Sequence, residues 1–356
     1  MNYTLNDVMK QFGIDDEGTP FGNGHINDTY VLQGNPPLLL QRINTSVFRD
    51  PAAVMENFCA VTAYLRNIIR KEGGNSARET LTLLPTLDGK IFYTAPDGNA
   101  YRILLFIDGT VSLDHADTPE IFAMSARAFG KFQKQLANFP AHTLHEVIPK
   151  FHDTTDRMRQ FREALERDAV GRAASVRPEI DFVLSYADRV GVVVDGIADG
   201  SIPLRVTHND TKLNNVLLDE NTYEPVCVID LDTVMPGSML YDVGDALRFG
   251  ASTGAEDETD LSKIEFDLAY FEAFIKEFLL AVGDSITPRE RELLPFSALL
   301  LTLECGIRFL TDHLNGDTYF RIHRENHNLD RCRTQFKLVA DIEKKMDQMK
   351  AIVAKY

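Results

Sequence analysis

Residues 206–249 read VTHNDTKLNNVLLDENTYEPVCVIDLDTVMPGSMLYDVGDALRF, and the fold follows from how this stretch is built. His208, Asp210, Asn214 and Asn215 fall on a short polar loop after the apolar run 204–206, and Asp230 and Asp232 close a second apolar run. The runs 216–218 and 226–229 flank a turn containing Asn221 and Pro225, so a hairpin is predicted with Asn215 and Asp230 at its ends. In such an arrangement a carboxylate can orient and deprotonate an attacking hydroxyl. An amide oxygen five residues on can reach a metal, and a further carboxylate can complete a Mg²⁺ site. That is the chemistry of phosphoryl transfer to a small molecule.

Toward the N-terminus, residues 1–107 read as strand-rich with one helix. Gly22-Asn23-Gly24 leads through His25 into the apolar run 30–32, and 38–40 makes a second short strand after Pro36-Pro37, so a hairpin is predicted. A glycine-containing tip lets backbone N–H groups approach a phosphate, although the same residues also make ordinary turns. Asp50-Pro51 opens a helix through residue 70 with Val54, Phe58, Val61 and Leu65 on one face. Strands are predicted at 89–94 and 101–107, and Asp108-Gly109-Thr110 is the expected hinge.

Beyond it, Thr118-Pro119-Glu120 starts a helix striped by Phe122, Phe129, Phe132 and Leu136. Residues 155–195 are helical in pattern, and a helical remainder ends in Phe336, Val339, Ile342, Met346, Met349 and Val353. The apolar stretch 293–314 is interrupted by Glu304, Arg308 and Asp312, which predicts a buried helix and no membrane span.

Composition narrows the function classes. With 53 Asp and Glu against 37 Lys and Arg, the formal charge of −16 speaks against a surface that tracks nucleic-acid phosphates. Cys59, Cys227, Cys305 and Cys332 are scattered without a CxxC pair, as expected of free thiols in a reducing compartment. The first residues, MNYTLNDVMKQFG, are acidic and polar where a signal peptide needs a basic and then an apolar segment, so a cytoplasmic location is expected.

The combination His208-Asn209-Asp210 with Asn215, followed by Ile229-Asp230-Leu231-Asp232, resembles the aminoglycoside phosphotransferase and choline kinase superfamily. More narrowly, Gly24-His25-Ile26-Asn27 and the runs VTHNDTKLNN, IDLDTVMPGSM, LRFGAST and ECGIRFL resemble bacterial N-acetylhexosamine 1-kinases. The resemblance spans nearly the whole chain. It implies an α+β, protein-kinase-like two-lobed fold: a small strand-rich nucleotide-binding lobe at 1–107, a hinge at 108–112, and a large mainly helical lobe at 113–356. The latter would carry the catalytic loop and the sugar site. It also implies ATP as phosphoryl donor, Mg²⁺ as cofactor and N-acetylglucosamine or N-acetylgalactosamine as acceptor, phosphorylated at the anomeric hydroxyl. Nucleic acid and membrane are not among the expected partners, and a monomer is expected.

By that resemblance Asp210 is the catalytic base, and Asn215 and Asp230 hold Mg²⁺. Asp232 either assists the metal or closes the loop by hydrogen bonds. His208 and Asp242 would brace the loop. His25, Phe249, Arg308 and Tyr319 would join Asp210 in binding the sugar, an aromatic face meeting the pyranose and Arg and His donating to its oxygens. Core packing is the other reading for Phe249, and an ion pair with Glu304 or Asp312 for Arg308. Gly22, Asn23, Gly24, Gln41, Arg42, Phe106 and Asp108 would bind the nucleotide. The sequence departs from the kinase pattern at Leu40-Gln41-Arg42, where a basic residue on the third strand is usual. Either Gln41 or Arg42 takes that place, and Glu56, the usual ion-pair partner, is as readily a solvated helix residue.

Other readings stay open: a kinase for another sugar, an amino alcohol, homoserine, methylthioribose or an aminoglycoside, or a non-catalytic pseudokinase that only binds. The absence of Trp speaks against an aromatic cage for a quaternary amine. A protein kinase would need a long segment between Asp230 and Tyr241 ending in Ala-Pro-Glu. A hydrolase is disfavoured because no GxSxG occurs and His313, His323 and His327 lack metalloprotease spacing.

Overall fold

The computed structural model describes residues 4–22 and 27–356 and divides the chain into two compact units. The smaller comprises Met1–Ser112, Asn138–Pro149 and Val216–Met235; the larger comprises Leu113–Ala137, Lys150–Asn215 and Pro236–Tyr356. The expected division placed everything after residue 112 in one lobe. The difference at 216–235 has a hydrogen-bonding cause: strands Val216–Asp219 and Pro225–Val228 form the predicted hairpin, and the first of them pairs antiparallel with Thr110–Val111. At 138–149 the Asn57 side chain accepts from the backbone N–H of His145 and donates to its carbonyl, each at 2.8 Å.

In the smaller unit an antiparallel sheet runs Thr19–Pro20, Asp28–Leu32, Leu38–Ile43, Ala100–Leu105, Leu83–Leu84, with Tyr93–Thr94 also paired to Ala100–Leu105. The strand predicted at 89–94 shortens to two residues. Gly89, at φ 81°, lies in a turn closed by Thr86, whose backbone N–H donates to the carbonyl of Lys90. Register decides which side chains meet, because alternate residues face opposite ways. Leu40 lies opposite Tyr30 and Ile103, on the face covered by helix Leu5–Gln11 through Val8 and Met9 and by the following Phe12. Gln41 lies opposite Thr29 and Arg102, on the face covered by helix Pro51–Lys71. That helix begins as its sequence predicts, with Asp50 accepting from the N–H groups of Ala52 and Ala53 and Pro51 in the first turn.

The larger unit is mainly helical. Helix Pro119–Leu136, capped by Thr118, crosses helix Leu268–Val282 at Gly130, where an added Cβ would stand 2.9 Å from the Phe278 carbonyl oxygen. The 155–195 region resolves into helices Thr154–Arg167, Arg177–Ser185 and Val192–Asp199, the first ended by Asp168 at φ 37°. Helix Pro288–Leu314 is apolar enough to cross a membrane, but 83% of its most apolar 18 residues is buried. It packs against helices Met239–Gly250 and His327–Val353 as the core of this unit.

Candidate active site

In the larger unit the 208–215 loop follows strand Arg205–Thr207 and hangs from helix Met239–Gly250. Fully buried Asp242 accepts from the backbone N–H groups of His208 (3.0 Å to Oδ2) and Asn209 (2.8 Å to Oδ1), and from Gln133 Nε2 (2.8 Å). Its backbone oxygen accepts from Thr211 Oγ1 at 2.5 Å. Burial pushes the Asp242 carboxyl up, against the opposing pull of His208 and those donors. One turn later Asp245 accepts from the Thr211 N–H (3.1 Å) and from Arg248. Burial alone would raise Asp245 too, but Arg248, Lys212 and His152 outweigh it and hold the carboxyl below the usual range. His208 is buried edge-on to the rings of Phe129 and Phe132, and its Nδ1 accepts from the backbone N–H of Asp210 at 3.3 Å.

Two side chains address the Asp210 carboxylate. Lys212 Nζ lies 2.8 Å from Oδ1, and Asn215 Nδ2 donates to Oδ2 (3.1 Å) and to the Asp210 carbonyl (2.8 Å). Because both Asn215 bonds come from its amide nitrogen, its carbonyl oxygen is left as the donor atom a hard cation takes. Among the described residues no three His, Cys, Asp or Glu side chains converge into a ready-made metal cage. Mg²⁺ needs none, since it is held by one or two protein oxygens together with phosphate oxygens and water. Within this loop the Asn215 side-chain oxygen is a donor of that kind.

A second polar chain reaches the same loop. His152 Nε2 stands 3.4 Å from the carbonyl oxygen of Asn209, while its Nδ1 meets Glu304 Oε1 at 2.8 Å and Thr154 Oγ1 donates to Glu304 Oε2 at 2.8 Å. Arg308 lies one helical turn beyond Glu304, its guanidinium 5.5 Å from the Phe151 ring and 5.4 Å from that of Phe320. Tyr319 packs edge-on to Phe320 and is otherwise exposed. Glu304 is engaged by His152 and Thr154, and Asp312 accepts from the N–H groups of Thr318, Tyr319 and Phe320 and from Asn328. Phe249 is half-buried and lines a cavity of about 370 Å³ with Asp114, His115, Leu213, Ser252 and Tyr270. Arg308 and Tyr319 are not among its walls.

Asn23, Gly24 and His25 lie outside the described residues. Gly22 takes φ 74° beside Phe21, whose ring meets that of Phe106 edge-on. Arg42 lies on the sheet face opposite to Gln41 and forms an ion pair with Asp28, the residue across from it. Asp108 is exposed and bonded by Arg78. Glu56 meets His145 Nε2 at 2.6 Å on the exposed surface. Gln41 donates to Thr29 and accepts from Arg102 Nε at 2.9 Å. Arg102, which sequence reasoning passed over, is completely enclosed and donates to Asp232 as well. Asp232 also accepts from Asn27 Nδ2 at 2.7 Å, so both its oxygens are bonded. Asp230, at φ 58°, immediately precedes the tight turn Leu231–Thr233.

Residues 17–281 match the model of the phosphotransferase enzyme family (APH). Among solved structures the chain is similar to a microcompartment-associated aminopropanol kinase, at 14% identity and a TM-score of 0.60, with 97% of each chain covered. It is similar to an aminoglycoside phosphotransferase from Alicyclobacillus acidocaldarius at 13% identity and a TM-score of 0.61, covering 100% of this chain and 96% of that one. For choline kinase from Cryptosporidium parvum the values are 16% identity and a TM-score of 0.58, with 96% and 92% covered. At these identities the likeness is one of fold, a small strand-rich lobe and a larger helical one.

Proposed function

Because the chain belongs to the phosphotransferase enzyme family and is a small-molecule kinase, we propose that it transfers the terminal phosphoryl group of ATP, with Mg²⁺, to the anomeric hydroxyl of an N-acetylhexosamine. The observation that carries the chemistry is the Asp210 carboxylate, fixed by Lys212 at one oxygen and Asn215 at the other. Asp210 aligns the sugar hydroxyl and accepts its proton as the O–P bond forms. His208 and Asp242 hold the loop so that this carboxylate keeps one orientation. Lys212 adds a positive charge where the transferred group gathers negative charge. Asn215 and Asp230 are the Mg²⁺ ligands in this reading; the ion, when bound, neutralises charge on the phosphate oxygens.

For the acceptor, Phe249 offers a flat apolar face in a cavity with hydroxyl and carboxylate neighbours, which suits a pyranose ring. Arg308 and Tyr319 with His25 remain the proposed donors to the sugar. Gly22, Asn23, Gly24, Gln41, Phe106 and Asp108 are the proposed nucleotide contacts; Arg42, expected among them, is withdrawn because it pairs with Asp28 on the other face of the sheet. The position of Asp114 on the Phe249 cavity favours one second reading, an amino-alcohol acceptor whose cation it would neutralise.

A panel decides among these. With ATP and Mg²⁺, ADP release is expected with N-acetylglucosamine or N-acetylgalactosamine, and the product should be a 1-phosphate. Turnover only with an amino alcohol, homoserine or an aminoglycoside would replace the sugar assignment. Nucleotide binding without turnover on any acceptor would point to a binding module.

A further inference from the structure

We infer that Arg102 is a positioning residue: it acts through Asp232 to hold the turn that aims Asp230 at the metal. This rests on the kinase reading. A fully enclosed guanidinium is rare, because removing it from water is costly unless its donors are met. Here Arg102 is 1% exposed on the central strand Ala100–Leu105, opposite Gln41. Its Nε donates to Gln41 Oε1 at 2.9 Å, Nη1 donates to Asp232 Oδ1, and the group lies 5.1 Å from the Phe58 ring. A cation therefore does stand beside Gln41, where the sequence shows no lysine, but it is turned inward onto a carboxylate.

Asp232 is equally enclosed, at 2% exposure, and its other oxygen takes Asn27 Nδ2. Asn27 in turn accepts from the backbone N–H of Asn44 at 3.0 Å. With both oxygens bonded within the protein, Asp232 serves as an anchor and leaves the metal to Asp230. The rest of the turn is tied as well: Val234 N donates to the Leu231 carbonyl (3.2 Å), and the Val234 carbonyl accepts from Asn57 Nδ2 (2.9 Å). Asp230 needs this support. A non-glycine residue at φ 58° persists only where its surroundings over-determine it. A buried ion pair contributes little stability beyond an apolar pair of similar volume. Orientation of the adjacent metal carboxylate is the use that remains, comparable to the outer residues that orient ligands in metal sites.

The test measures Mn²⁺ binding to the full-length protein in the presence of a non-hydrolysable ATP analogue, with no acceptor, alongside thermal unfolding. Arg102→Met should weaken Mn²⁺ binding roughly ten- to a hundredfold. Unchanged or tighter binding overturns the inference, because it would mean that freeing Asp232 costs nothing or supplies a ligand. Should that variant fold poorly, the double replacement Arg102→Met with Asp232→Leu restores an apolar match. Its unfolding temperature should return toward that of the unmodified protein while Mn²⁺ binding stays weak; recovery of both would make the pair purely structural. If the unmodified protein binds no Mn²⁺ with the nucleotide, the kinase reading itself fails, an outcome distinct from all of these.

Discussion

Asp210 is the residue on which the proposed chemistry turns, and its neighbours separate its roles. Its backbone is held through His208 and Asn215, so removing the carboxylate leaves most of the loop's hydrogen bonds in place. Asp210→Ala is expected to lower kcat by about 10²–10⁴, the range for loss of a general base, with nucleotide affinity largely kept. Single-turnover kinetics and nucleotide titration check this; loss of fold instead would make the carboxylate structural. The cysteines give a residue-scale prediction of the opposite kind. Burial pushes the thiols of Cys227 and Cys305 up to about 12 and raises those of Cys59 and Cys332 as well. Since only the thiolate reacts, a disulfide reagent at pH 8 should label the native protein slowly and the unfolded protein at four sites.

Among the elements, helix Pro288–Leu314 links the core of the larger unit to the strand that leads into the 208–215 loop. Thr287 and Glu290 form a capping box at its start, and the same Glu290 carboxylate is gripped by Arg205 through Nε (2.5 Å) and Nη2 (2.7 Å), at the beginning of the strand that leads into the loop. Glu290→Ala leaves Arg205 enclosed without its carboxylate and removes the side-chain half of the capping box, so a loss of about 3–5 kcal/mol is expected in chemical denaturation. Gly130→Ala should cost about 1–3 kcal/mol, because the new methyl meets the Phe278 carbonyl and Ala281 across the helix crossing. The starts of the helices were legible from Asp50-Pro51 and Thr118-Pro119, where capping chemistry is local. The strand predicted at 89–94 was overestimated because the turn at Gly89 competes with pairing.

At the scale of the whole molecule, its response to acid follows from buried carboxylates. Burial would raise Glu304, but His152, Arg308 and Arg157 outweigh it and hold the carboxyl below its ordinary 4.5. A depressed folded value means that the stabilisation is present above about 4.5, the unfolded value, and is lost as pH falls through the folded one. The Glu304 contribution to the unfolding temperature should therefore fade as pH falls below about 4.5, and Glu304→Gln should be less stable at pH 7 yet show a shallower acid decline. The sequence by itself determined the α+β class, the helix starts at Pro51 and Pro119, the 216–228 hairpin and the loop that carries Asp210 and Asn215, because each depends on residues close together along the chain. Tertiary structure alone decided that Arg42 turns to Asp28 while Gln41 turns to Arg102, that Asp232 is bonded by Arg102 and Asn27, and that Glu304 reaches the loop through His152. Arg102 finds Gln41 across 61 residues and Asp232 across 130. Such partners are set by strand register and by which helix covers which face, and local sequence pattern does not encode either pairing.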